Sequence, residues 1–192
     1  ERLKYLRNLV IKIKLKKDVR YVMLATARGH LNAKEQWNTL NLKDSKTYTI
    51  NFALSPVSRP VKMENIFYEF GRWELTKASE EELQKLVKLL NDNPNITIEL
   101  SAHTDLVGNE SFNQELSQKR AQSCCDFLIR NGIEKERLTP VGYGKSKPMV
   151  CDKTLNKQYP FIPIDQALDE AFILSLPADK QEVCNQINRR TE

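Results

Sequence analysis

Asp105 and Arg120 are the residues whose chemistry most needs explaining. Asp105 follows the alternating apolar run Ile96, Ile98 and Leu100 and precedes Gly108, which places it in a loop at the carboxyl end of a strand. Arg120 lies fifteen positions later, well inside a segment with helical periodicity. There Leu116, Cys124, Phe127 and Leu128 form an apolar stripe, and Arg120 sits four residues from both Leu116 and Cys124 on the same face. An arginine within a buried stripe needs an anionic partner, because an unpaired buried charge is costly. Two arrangements satisfy it. Asp105 and Arg120 pair with each other, or with loop backbone, and stiffen the loop. Alternatively they bracket a zwitterion, the carboxylate taking an ammonium and the planar guanidinium taking a carboxylate through two parallel hydrogen bonds.

Little else in the chain points to chemistry. His30 and His103 are the only histidines, and Cys124, Cys125, Cys151 and Cys184 do not have metal-ligand spacing, so neither a metal nor a cofactor is expected. His103 precedes Asp105 but lacks a nucleophile and an orienting partner, and no hydrolytic constellation is visible, so the chain is not expected to be an enzyme. The formal charge of +5 comes from dispersed lysines without interleaved aromatics, which reads as a solvated basic surface and not a nucleic-acid footprint. No run approaches the roughly 20 apolar residues of a membrane span. The chain opens on Glu1 without a signal-peptide pattern, so it is read as a mature or excised piece whose membrane anchor lies outside it.

The elements that would position the pair divide at Ser55–Lys62, where Pro56 and Pro60 interrupt the pattern. Residues 1–58 read as β-rich, with strands expected at Leu9–Leu15, Arg20–Thr26 and Thr47–Leu54 and with turns at Gly29 and Asn41–Lys46. Residues 63–192 alternate strand and helix. Asn65–Phe70 reads as a strand, and a helix follows that opens with a capping box from Ser79 to Glu82. Its stripe is Leu83, Leu86, Val87 and Leu90, and Pro94 stops it. A second strand follows, then a helix over about Phe112–Asn131 ended by Gly132, then a strand at Leu138–Tyr143. This βαβαβ order predicts an α/β (α+β sandwich) fold with helices packed on a mixed sheet. A longer closing segment runs from Pro148 to Ile187 with a short helical pattern near Gln166–Leu174, and Asn188-Arg189-Arg190 reads as the entrance to a last strand.

The string His103-Thr104-Asp105, Gly108, Asn113, Leu116-Ser117, Arg120-Ala121, Gly132-Ile133, Arg137-Leu138, Gly142-Tyr143-Gly144 and Asn188-Arg189-Arg190 resembles the OmpA-like carboxy-terminal domain family, and Asn65–Phe70 resembles its opening strand. The resemblance covers about residues 63 to 192. It implies noncovalent binding of the peptidoglycan stem peptide, usually through diaminopimelate, in the periplasm and in association with the outer membrane. Asp105 would take the ligand's ammonium and Arg120 its carboxylate. Thr104 and the backbone of Ala102, His103, Thr104 and Asp105 would line the pocket and donate to the carboxylate, Asn113 would fix the loop, and Arg189 would approach the ligand from the closing segment. Glu69 stands where the family usually has Asp, and Ala102 where it usually has Gly. Arg190 is given a solvated or structural role, and Tyr143 a packing role. A periplasmic location would permit a disulfide between Cys151 and Cys184, and the residues alone leave free thiols equally open.

The closing segment, with its Tyr159-Pro160-Phe161 run, resembles insertions in Bacteroidetes-type envelope proteins. In such proteins the domain often follows a carboxypeptidase-regulatory-like β-sandwich, and Arg28-Gly29-His30-Leu31 followed by Tyr48–Leu54 and Pro56 is similar to the end of one. The leading expectation is a cell-wall anchor. The rivals are a protein–protein scaffold of a secretion or motility complex and, with least support, an envelope hydrolase.

Overall fold

The computed structural model describes residues 13–42, 44, 46–57, 63, 66, 68 and 71–192, and the chain divides into two compact units, Glu1–Val57 and Ser58–Glu192. In the first unit the β-former run becomes β1 (Arg20–Ala25), paired antiparallel with β2 (Ala33–Asn38) from Arg20↔Asn38 to Ala25↔Ala33. Gly29 turns the chain between them at φ +74°. Thr39 is buried and closes the open end, its hydroxyl donating to Lys16 O (2.6 Å) and accepting from Val19 N (3.0 Å).

Two strand expectations in this unit fail. Ile13, Lys14 and Leu15 are not in a strand, and residues 9–12 lie outside the described residues. Thr47–Leu54 forms no ladder either, although Ile50, Phe52 and Leu54 are half-buried in alternation as the pattern implied. Alternation specifies which side chains turn inward, whereas a strand also needs a partner in register. The partner of β1 is instead the polar β2, which carries no apolar alternation.

In the second unit Thr76 caps α1 (Lys77–Asp92), its hydroxyl accepting from Ser79 N at 3.2 Å. The expected capping box at Ser79 is therefore displaced by one turn: Ser79 is buried inside the helix, and Glu82 pairs with Lys85 at 2.6 Å. The stripe behaves as read, with Leu83, Val87 and Leu90 buried and Leu86 packed at the edge of the core. Each fully buried leucine contributes about 2 kcal/mol. After α1 and Pro94 the chain enters β3 (Ile98–His103), crosses through α2 (Glu110–Arg130) and returns as β4 (Leu138–Gly144), parallel to β3 from Ile98↔Leu138. Residue 96 falls in the preceding turn, its amide donating to Asn93 O.

Asn109 caps α2 by accepting from Phe112 N at 2.7 Å, and Gly132 ends it at φ +88°. The described part of Asn65–Phe70, Ile66 and Tyr68, is not in a strand, and the rest lies outside the described residues. The closing segment folds into α3 (Lys153–Gln158), α4 (Glu170–Leu174) and α5 (Ala178–Asn188) around its own core of Cys151, Ile162, Leu168, Ile173, Cys184 and Ile187. The last residues then lie antiparallel to β3, with Ser101 N donating to Glu192 O (2.9 Å) and His103 N to Arg190 O (2.9 Å). Met63 pairs antiparallel with Thr191 on the far side. The result is a mixed α/β fold with helices packed on a small sheet of parallel and antiparallel neighbours. Among the described residues, no helix is long and apolar enough to cross a membrane.

Candidate ligand-binding site

The site is built at the carboxyl end of β3. Asp105 is 8% exposed. Its Oδ1 accepts from Val107 N at 3.0 Å, which folds residues 105–107 into a tight turn. Gly108 continues the loop at φ +92°, and buried Asn113 fixes it by donating from Nδ2 to Val107 O at 3.0 Å. Thr104 is buried, with its hydroxyl donating to Asp105 O at 3.0 Å.

Arg120 is also 8% exposed and lies on the buried face of α2. Its Nε donates to Arg72 O at 2.9 Å, and its guanidinium carbon stacks 4.7 Å from the centre of the Tyr68 ring. Burial pulls its pKa down, against the attraction of Tyr68 and Asp105. Tyr68 is held in turn by α2, its hydroxyl within reach of Arg120 O (3.3 Å) and Cys124 Sγ (3.2 Å), and burial raises its pKa above the ordinary range.

The direct pairing of Asp105 with Arg120 does not occur among the described residues. Asp105 Oδ2 is taken by Arg189 Nη1 at 2.7 Å, and Arg189 Nη2 holds Glu182 Oε1 at 2.6 Å. Arg189 is half-exposed. Burial lowers its pKa, and the two carboxylates more than offset that and raise it. The structure thus places a carboxylate, Asp105, close to one buried guanidinium and in contact with a second, mobile-ended one.

The remaining predicted residues have other surroundings. Ala102 and His103 belong to β3 and not to the loop, and the amides of His103 and Thr104 donate to Arg190 O and Gly144 O, both at 2.9 Å. Those two amides are consumed by the sheet, so the expected backbone donation to a ligand carboxylate is corrected for them. The His103 ring is 3% exposed and stacks on Tyr143 at 5.3 Å, with neither nitrogen hydrogen-bonded. Burial, with help from Arg190, lowers its pKa to about 4. Arg190 is locked by Glu192 Oε1 (2.7 Å) and Lys147 O (3.3 Å), a structural role. Glu69 lies outside the described residues. Cys151 and Cys184 are buried as free thiols within one core, and burial raises the pKa of each. Sequence reasoning did not find Arg72, Tyr68 or Glu182, none of which stands at a distinctive spacing from the pair.

Comparison with known proteins agrees with this layout. Residues 67–159 match the model of the OmpA family. Outer membrane porin F of Pseudomonas fluorescens is 31% identical over 101 residues, covering 52% of this chain and 31% of the porin. The peptidoglycan-associated lipoprotein of Agrobacterium fabrum is 31% identical over 90 residues, covering 46% of this chain and 51% of the lipoprotein. The chain therefore spans about half or less of the length of these relatives. Among solved structures, the peptidoglycan-associated lipoprotein from Burkholderia pseudomallei aligns with a TM-score of 0.46 at 22% identity, covering 66% of this chain and 85% of that one. The second unit of this chain carries an OmpA-like domain.

Proposed function

We propose that residues 63–192 form a noncatalytic wall anchor that binds the peptidoglycan stem peptide through the free zwitterionic end of diaminopimelate, holding an outer-membrane protein or complex to the wall from the periplasm. The observation that carries this reading is the juxtaposition of the Asp105 carboxylate with the buried Arg120 guanidinium at one loop. A carboxylate and a planar guanidinium held by rigid elements match an ammonium and a carboxylate on one ligand. The OmpA family match and the likeness to a peptidoglycan-associated lipoprotein support the same class of ligand. A single small terminus offers few contacts, so the affinity is modest, and many copies on one wall raise it through avidity. In the same reading the closing segment is a Bacteroidetes-type insertion, and the β1–β2 pair is the remainder of a carboxypeptidase-regulatory-like sandwich.

Calorimetric titration with diaminopimelate and with a stem peptide containing it tests the proposal, beside Arg120→Lys. Saturable binding that is lost in the variant supports it, since lysine keeps the charge but not the bidentate fork. No binding by the unaltered chain at millimolar ligand overturns it. One observation favours the scaffold reading: Val22 and Leu24 of β1 are 64% and 58% exposed on the same strand face. Capture of envelope proteins by the full chain, lost on Val22→Lys with Leu24→Lys while wall binding persists, would assign the first unit that role.

A further inference from the structure

In the structure the Asp105 carboxylate already has a cation. Its Oδ1 is used by Val107 N and its Oδ2 by Arg189 Nη1 at 2.7 Å. A ligand ammonium that binds Asp105 must share or take the Oδ2 position from Arg189. What happens to Arg189 then depends on its second anchor. Glu182 and Arg189 are seven residues apart, two turns along α5 and its cap, so both lie on the face of that helix turned to the loop. On the same face Asn185 Oδ1 lies 3.5 Å from Leu106 N. Glu182 holds Arg189 through Nη2, the other terminal nitrogen, and Gln186 Nε2 steadies Glu182 Oε1 at 3.2 Å. Displacing Nη1 from Asp105 therefore leaves the guanidinium tethered beside the loop with one free donor edge.

We infer that Arg189, tethered by Glu182, is an exchangeable counter-ion on Asp105 and a specificity-determining residue, making binding depend on a carboxylate beside the ligand's ammonium. A ligand that brings both charges evicts Nη1 from Asp105 and gives it a new carboxylate, so the number of ion pairs is conserved. A ligand that brings only an amine evicts Nη1 and leaves it to water, so the gain at Asp105 is offset by the loss at Arg189. The device selects a diaminopimelate terminus over a lysine side chain, and its discrimination lies in the exchange at Asp105, separate from what Arg120 contributes to carboxylate binding. Glu182 is a positioning residue, acting only through Arg189.

The inference rests on the wall-anchor reading, and one experiment separates the two. Affinities are measured by calorimetry for a C-terminally amidated stem peptide carrying diaminopimelate and for the same peptide with lysine in its place. The full chain is compared with Arg189→Met and Glu182→Gln. The expected result is that Arg189→Met lowers the ratio of the two affinities by about fivefold or more, as the loss of a half-exposed ion pair implies, with the lysine peptide binding more tightly than before. Glu182→Gln shifts the ratio in the same direction by a smaller factor. Glu182 is 56% exposed, so this variant tests the exchange even if Arg189→Met does not fold. A merely structural role for Arg189 would weaken both peptides alike and leave the ratio unchanged, which would overturn the inference while the anchor reading stands. Failure of the unaltered chain to bind the diaminopimelate peptide overturns both.

Discussion

Gly142 sits where β4 presses against α2, and its replacement by alanine tests how tightly the site is built. A Cβ at this position would lie 2.2 Å from the Gln118 amide nitrogen, 2.6 Å from its Cα and 2.6 Å from Ser117 Oγ. The first two are backbone atoms of a helix and cannot rotate aside. To restore ordinary contact, strand and helix must separate by about 1.2 Å. That shift breaks a clamp in which Gly142 N donates to Gln118 Oε1 (2.8 Å) and Gln114 Nε2 donates to Gly142 O (2.6 Å). Overpacking costs about 1–3 kcal/mol and each hydrogen bond about 1 kcal/mol, so Gly142→Ala is expected to destabilise by about 3–5 kcal/mol. Gly132→Ala is the control: it has open space around it but φ +88°, and costs only about 1–2 kcal/mol of backbone strain. Urea unfolding followed by Trp73 fluorescence, in a Trp37→Phe background, reports the second unit alone. Because residues 117 and 118 are on the turn before Arg120, the same variant is expected to weaken stem-peptide binding. A cost for Gly142→Ala no larger than that for Gly132→Ala would refute the close approach of α2 to β4.

Two further substitutions probe the scaffold of the site. His103 is held neutral by burial, its pKa lowered from 6.5 to about 4. As the pH falls below 6.5 the unfolded chain takes up a proton that the folded chain refuses until about pH 4, so stability is lost across that window, by on the order of 3 kcal/mol. His103→Phe keeps the stack on Tyr143 and is expected to flatten the stability–pH slope between pH 4 and 6.5 by up to one proton. Equal slopes in urea titrations of the two proteins would contradict it. Arg137 gathers the end of α1, donating from Nε to Ile96 O (3.0 Å) and from Nη2 to Leu90 O (2.9 Å) and Asn93 O (2.8 Å). Arg137→Met is expected to cost about 2–4 kcal/mol and to speed hydrogen exchange in the last turn of α1 first, and uniform exchange across the domain would argue against this capping role.

The sequence made the Asp105–Arg120 geometry readable because local rules govern it. A stripe of period 3.6 put Arg120 on the inner face of α2, where it is buried, and the alternation ending at Leu100 together with Gly108 put Asp105 in the following loop. The partner choice was not readable. Arg189 is separated from Asp105 by 84 positions, and which cation reaches that carboxylate depends on how α5 docks. The same limit explains the first unit: Ile50, Phe52 and Leu54 turn inward as their spacing implies, yet the ladder forms between β1 and a strand of mainly polar residues. Spacing reports the face of an element. Pairing is settled by tertiary contacts.

Asn188-Arg189-Arg190 shows how far a motif can be taken from its letters. All three residues are polar and adjacent, and each meets a different environment as the chain leaves α5 and turns into the sheet. Asn188 is buried and closes the last segment on itself, accepting from Met149 N at 2.9 Å and donating to Leu168 O at 2.8 Å. Arg190 is turned the other way and spends its donors on Glu192 and on the carbonyl of Lys147. With those two neighbours immobilised on opposite sides, the backbone between them has little freedom, and Arg189 is delivered to the mouth of the Asp105 loop without needing contacts of its own in the core. A half-exposed arginine on a fixed backbone can exchange carboxylates at low cost, whereas a buried one such as Arg120 cannot. The two guanidiniums of the site are therefore suited to different work: Arg120 to a permanent, preorganised charge and Arg189 to one that moves.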